Sequence, residues 1–219
     1  MSSGLKVTLL AVNLAARLAE DGDNVLLIDA DPQKSTEVFS DMRSQSGLKP
    51  LFSNVSRTGV SLGDEIERMS KAFDSIIIDT GGRDSKEMRK AMLKSNLVII
   101  PTIPSQYDVP VLENMLEIYD ESRQVNEKLL AFVLVNRASP NPFLFKELEN
   151  LREFISRIKA EKDLKNVVLL KSSLFERQAY RKAVVEGKSV SEFCDKNDKA
   201  LQDFENFYKE LLKSVEERL

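Results

Sequence analysis

Two short acidic stretches carry the residue types in this sequence that could do chemistry. The first, Asp29-Ala30-Asp31-Pro32-Gln33, closes the apolar run Asn24–Ala30. Carboxylates so close together repel each other unless a cation or buried donors offset the cost. The second, Asp79-Thr80-Gly81-Gly82, closes the run Ser75–Thr80. A carboxylate there can hold Mg²⁺ through water, while the glycines let the backbone approach a terminal phosphate. Each stretch also has a structural explanation. Asp79 can cap the turn that follows it, and Asp31, just before Pro32 and a helical stretch, can act as an N-cap. Taken together, the two acidic ends favour a shared Mg²⁺ site.

Such groups must be held by regular elements. Short runs rich in Val and Ile read as strands at Asn24–Ala30, Ser75–Thr80, Leu97–Thr102, Leu129–Asn136 and Val167–Ser172. They lack strict alternation, as expected for parallel strands covered on both faces. Helical patterns fill the intervals at Lys34–Ser44, Leu62–Ala72, Ser85–Ser95, Val109–Arg123, Phe143–Lys162, Arg177–Glu186 and Lys199–Arg218. Near the start, Leu10, Leu14 and Leu18 recur at helical spacing. The polar interval Gln45–Ser61 reads as an irregular excursion. This alternation predicts an α/β fold, a mostly parallel sheet covered by helices on both faces, in one domain spanning residues 1–219. Ligands of such sheets bind beyond the carboxyl ends of the strands. Here those ends also include Pro101-Thr102-Ile103-Pro104-Ser105 and Asn136-Arg137.

Composition narrows the chemistry. The chain has 219 residues, 42% hydrophobic and 31% charged, with a net charge of −3. That charge argues against a wholly basic nucleic-acid coat but permits a local patch. Histidine is absent, which removes His-based metal sites, Ser–His–Asp triads and Cys–His dyads. Cys194 is the single cysteine, so no internal disulfide can form. No apolar run approaches the roughly 20 residues needed to span a bilayer. The expectation is a soluble, cytoplasmic protein without a membrane partner.

The stretches "VNLAARLAEDGDNVLLIDADPQKS", "FDSIIIDTGGRDS", "LVIIPTIPSQYDV" and "RQAYRKAVVEGKSV" resemble the ParA/MinD family of deviant-Walker P-loop ATPases. Within it, the likeness is to short plasmid-partition ParA proteins and related cargo-positioning ATPases, from Thr8 onward. The resemblance implies ATP and Mg²⁺ as cofactors. It implies that Asp31 positions the attacking water, that Asp29 supports Mg²⁺, and that Asp79 is the Walker B carboxylate. Thr80, Gly81 and Gly82 then form the switch beside the γ-phosphate, and Asn136 reads the adenine edge, with Ser173–Glu176 nearby. Basic residues near the C-terminus, Lys171, Arg177, Arg181, Lys182 and Lys188, correspond to those that bind DNA nonspecifically in an ATP-bound homodimer. A centromere-binding or cargo adaptor protein would stimulate hydrolysis, and the protein would be nucleoid-associated. The bland reading of those basic residues is a solvated helix surface.

One departure from the family pattern is large. Its phosphate loop, K-G-G-x-G-K followed by two Ser or Thr, should stand directly before "TLLAVNLAARL". Here Lys6-Val7 meets Thr8, without the glycine pair or the loop lysine. Backbone amides of that loop cradle the phosphates and its lysine neutralises their charge. Thr8 matches the loop's last hydroxyl position, normally paired with Mg²⁺. A strand and a loop, about a dozen residues, are expected between Val7 and Thr8. Two explanations stand: this sequence lacks residues that the native protein has, or the protein is a degenerate relative that holds no triphosphate. The first is the expectation, because the acidic groups remain in place. The rival reading is a nucleotide-free scaffold or inhibitory dimer partner. A phospho-acceptor receiver domain also clusters Asp at strand ends, but it gives "DPQ" and "DTGG" no role.

Overall fold

The computed structural model describes residues 4–59, 61–81, 84–105 and 107–218. Its elements in chain order begin α1 (Gly4–Glu20), β1 (Val25–Asp29), α2 (Ser35–Gln45), β2 (Ser53–Ser56), α3 (Leu62–Met69), β3 (Ser75–Asp79) and α4 (Lys86–Lys94). They continue β4 (Leu97–Thr102), α5 (Val109–Arg123), β5 (Leu130–Ala138), α6 (Phe145–Glu161), β6 (Val167–Phe175), α7 (Gln178–Val185), α8 (Val190–Phe193) and α9 (Lys199–Glu216). The chain forms two compact units, Met1–Lys94 with Gln178–Asp195, and Ser95–Arg177 with Lys196–Leu219. Each holds its own three-stranded, wholly parallel sheet.

In the first unit the strand order is β2-β1-β3. All five residues of β1 are buried, and its alternate side chains enter two different clusters. Val25 and Leu27 pack with Ala11, Val12, Ala15 and Phe39, whereas Leu26 and Ile28 pack with Leu62 and Ile66. A strand buried on both faces has no polar face to show, which is why "VLLID" lacks alternation. α1 lies on β1 and β3, and its Ala15 and Ala16 are fully buried, so small side chains bring helix and sheet close. The spacing of Leu10, Leu14 and Leu18 correctly indicates this helix. Among the described residues β3 pairs with β1 alone, and Ser75–Ile78 remain only half-buried.

The interval Gln45–Ser61, expected to be irregular, contains β2, paired in parallel with β1. "SNVS" has one apolar residue, so hydrophobic patterning could not reveal it. It is an edge strand fixed by its ladder rather than by burial.

In the second unit the order is β4-β5-β6, and Leu130–Val135 of β5 are all buried. Tyr119 of α5 is fully buried and donates its hydroxyl to the Leu129 carbonyl oxygen at 2.9 Å. Burial pushes that phenol up to about 12. α9 packs on β6 through residues that include Phe204 and Phe207, whose rings lie 5.8 Å apart, as the sequence pattern of this helix indicates. Among the described residues no helix is long and apolar enough to cross a membrane.

Candidate nucleotide site

The parallel register of β1 and β3 sets Asp29 directly beside Asp79. Both are buried, at 0% and 1% exposure. Their surroundings differ. Asp29 accepts from the Asp31 amide at 3.0 Å through Oδ1, and from the Thr36 amide and hydroxyl, each at 2.8 Å, through Oδ2. The residue capping α2, Lys34, has left-handed backbone at φ 50° and supplies no side-chain cap. The Asp29 carboxylate thus satisfies an amide of the first turn of α2 from outside the helix.

Asp79 accepts from the Thr8 hydroxyl at 2.5 Å and from the Gly81 amide at 3.2 Å. Burial lifts its carboxyl above the ordinary value. The Thr8 and Gly81 donors oppose that rise, and the nearby Asp29 and Asp31 add to it. Asp31 is half-buried and accepts from the Gln33 amide at 3.0 Å, a local turn of the Asx kind. Its side chain lies against Gly81, where a Cβ would stand 2.5 Å from Asp31 Oδ2. Gly81 also has φ +70°, so a side chain is excluded there twice over. The structure therefore brings together Thr8, Asp29, Asp31, Asp79 and Gly81, with Thr80 half-buried between the last two. Gly82 lies outside the described residues.

A divalent cation fits this donor set. Three carboxylates share the site, and Asp79 is driven towards protonation first by burial and further by the nearby Asp29 and Asp31. Hard oxygen donors suit Mg²⁺, which keeps several waters and takes ligands from substrate phosphates. Among the described residues no group of three or more Asp, Glu or Cys side chains is arranged as a metal cage. Thr8 and Asp79 would hold the ion, with Asp29 contributing charge while its oxygens serve Asp31 and Thr36.

Thr36 and its neighbour Asn54 were not foreseen from the sequence. Thr36 is fully buried, and Asn54 donates to its carbonyl oxygen at 3.1 Å. Thr36 stands seven positions after Asp29, and Asn54 sits in the strand that patterning missed. No local signal marks either one.

In the second unit, Asn136 stands near the carboxyl end of β5, where the register with β6 shifts. The next residue, Arg137, has φ 55° and pairs with Glu176 at 2.9 Å. Ser173 is paired with Val135, so the segment Ser173–Glu176, expected as a loop near the adenine base, is largely strand.

The five basic residues divide between the units. Lys171 and Arg177 belong to the second, and Arg181, Lys182 and Lys188 to the first. Lys171, Arg181 and Lys182 are exposed. Arg177 is engaged within its own unit, donating to Asp203 at 2.7 Å and lying 5.3 Å from the Phe175 ring centroid. Lys188 pairs with Glu186 at 2.8 Å.

A parallel α/β chain with an acidic strand-end pair and a helix hydroxyl bonded to one of them has the layout of a nucleotide-binding domain. The CobQ/CobB/MinD/ParA nucleotide binding domain, CbiA, matches residues 6–190, and the chain belongs to this family. It is 24% identical to maintenance of carboxysome distribution protein A of Halothiobacillus neapolitanus over 98% of this chain and 94% of that protein. It is also 24% identical to a ParA protein of Rhizobium radiobacter, covering 95% of this chain and 91% of that one. Among solved structures, the MinD cell division protein of Aquifex aeolicus superposes with a TM-score of 0.70 at 16% identity, over 97% of this chain and 94% of that one. A plasmid partition protein of Borrelia burgdorferi bound to AMPPNP gives 0.68 at 19% identity, covering 97% and 96%. These likenesses establish the α/β fold of the MinD and ParA nucleotide-binding proteins.

Proposed function

We propose that this chain is a ParA-type ATPase for DNA partition or cargo positioning, acting as one nucleotide-binding domain over residues 1–219. The observation that carries the reading is the joining of Thr8 to the buried Asp79, with Asp31 against Gly81 beside them. A hydroxyl in the second turn of α1 and a strand-end carboxylate would share Mg²⁺. Asp31, more open than its neighbours, would orient the attacking water, and Thr80, Gly81 and Gly82 would follow the terminal phosphate. Bound Mg²⁺ supplies charge neutralisation at the transferring phosphoryl group. Asn136, at an irregular strand end, would contact the adenine edge.

The kinds of protein that resemble this chain support a positioning role, since they include a carboxysome-distribution protein and plasmid partition proteins. ATP would favour a homodimer that holds DNA phosphates nonspecifically through basic residues drawn from Lys171, Arg177, Arg181, Lys182 and Lys188. A cargo-bound adaptor would stimulate hydrolysis and release the protein from a nucleoid-associated, cytoplasmic pool. This reading needs a glycine-rich phosphate loop with its lysine ahead of Thr8. Lys6-Val7-Thr8 favours the second reading, a ParA-like scaffold or inhibitory partner that binds no nucleotide.

Asp31→Ala tests the reading. We predict that it keeps ATP binding and dimerisation but loses hydrolysis, by about 100-fold or more for a group that orients the nucleophile. Unchanged turnover in this variant would remove Asp31 from the mechanism.

A further inference from the structure

The geometry points to Thr36 as a positioning residue for Asp31, acting through Asp29; this rests on the hydrolysis reading above. The turn between β1 and α2 is short and contains Pro32 and the left-handed Lys34. One carboxylate holds both of its ends. Asp29 Oδ1 accepts the Asp31 amide at 3.0 Å, and Asp29 Oδ2 accepts the Thr36 amide at 2.8 Å. The Thr36 hydroxyl adds a second donor to Oδ2, also at 2.8 Å.

That hydroxyl also lies 3.1 Å from Asn54 Oδ1, but it has a single proton. The shorter contact to a charged acceptor takes it. Asn54 then braces Thr36 differently. Its amide nitrogen donates to the Thr36 carbonyl oxygen at 3.1 Å and to Ser40 Oγ at 2.9 Å. The brace runs from β2 through α2 to the end of β1, and the whole of Thr36 is buried within it. With the hydroxyl removed, Asp29 Oδ2 keeps, among the described residues, only the backbone donor. The carboxylate gains freedom, and Asp31, whose amide it anchors, moves relative to Gly81.

The test uses Thr36→Val, which keeps the shape and removes the donor, with Thr36→Ser as the conservative variant. Thr36→Val should lower kcat for ATP hydrolysis about 10-fold, a typical cost of losing an outer hydrogen bond to a site residue. ATP affinity should stay unchanged, and Thr36→Ser should restore the rate. In nitrogen–proton correlation spectra the Asp31 amide should shift and exchange faster in Thr36→Val, but not in Thr36→Ser. Unchanged kcat in Thr36→Val, equal losses in both variants, or a parallel loss of ATP affinity would overturn the assignment. If the unmodified protein does not hydrolyse ATP, the hydrolysis reading fails, and the Asp31 amide still decides the positioning role. An undisturbed Asp31 amide in Thr36→Val overturns it. Should Thr36→Val not fold, Asn54→Ala leaves Thr36 in place and should produce the same spectral change in weaker form.

Discussion

The hydroxyl of Thr8 donates to Oδ2 of Asp79 over 2.5 Å, tying the second turn of α1 to the carboxyl end of β3. The contact lies in the interior, with Thr8 3% and Asp79 1% exposed. Among the described residues it supplies one of two donors to a carboxylate that burial drives towards protonation. Thr8→Val removes that donor at nearly constant volume. We predict a loss of stability of about 1–3 kcal/mol, the cost of leaving a buried acceptor unsatisfied, and a smaller loss in Thr8→Ser. Urea unfolding measures it, and equal stability of all three proteins would show that the bond carries no weight.

The two acidic strand ends were legible because each Asp interrupts an apolar run, and apolar runs are the strongest local signal of buried strands. What was not legible depends on tertiary placement. Asp29 matched a Mg²⁺-supporting position, yet its oxygens accept from Asp31 and Thr36, and nothing in "DADPQKST" reveals that. Patterning missed β2 because its hold on the sheet is a backbone ladder, which leaves no trace in side-chain hydropathy. Arg177 matched a DNA-binding position, but its pairing with Asp203 joins residues far apart in sequence. The other five strand regions were found correctly, whereas their division into two sheets depends on pairing that a hydropathy pattern does not encode.

Arg43 and Glu192 should make the first unit sensitive to acid. Arg43 donates to both carboxylate oxygens of Glu192, at 2.8 and 2.9 Å, and to the Gly187 carbonyl oxygen at 2.9 Å. Their side chains are 8% and 27% exposed. Burial pushes the Glu192 carboxyl up, but Arg43 and the Ser189 donors together hold it below its ordinary value of 4.5. A depressed folded-state value means that the contribution is present above the ordinary value and fades as pH falls through the depressed one. Glu192→Gln should therefore cost about 1–2 kcal/mol near neutrality. The gap from the unmodified protein should close as pH drops below 4.5. A gap of constant size across that range would contradict the ion pair as its source.

DNA binding should depend unequally on the basic residues. Arg181 and Lys182 are exposed, whereas Arg177 is held by Asp203 and lies over Phe175. We predict that Arg181→Ala with Lys182→Ala weakens binding to unrelated duplexes about equally. The slope of log affinity against log salt should fall by about 1 for each phosphate that is no longer neutralised. Arg177→Ala should instead lower stability by about 1–3 kcal/mol and leave that slope nearly unchanged. Undiminished binding by the Arg181/Lys182 variant would move the DNA surface elsewhere.

Calorimetric titration of ATP into protein of verified intact mass tests the central claim most directly. With a strand and glycine-rich loop ahead of Thr8, binding should be near micromolar, about 8 kcal/mol. It should require Mg²⁺ and be abolished in Asp79→Ala. A chain of only these 219 residues should bind no better than about millimolar, because Asp29, Asp31 and Asp79 repel phosphate with no loop lysine to oppose them. Tight binding to that chain alone, or binding indifferent to Mg²⁺ and to Asp79, would contradict this account of the site.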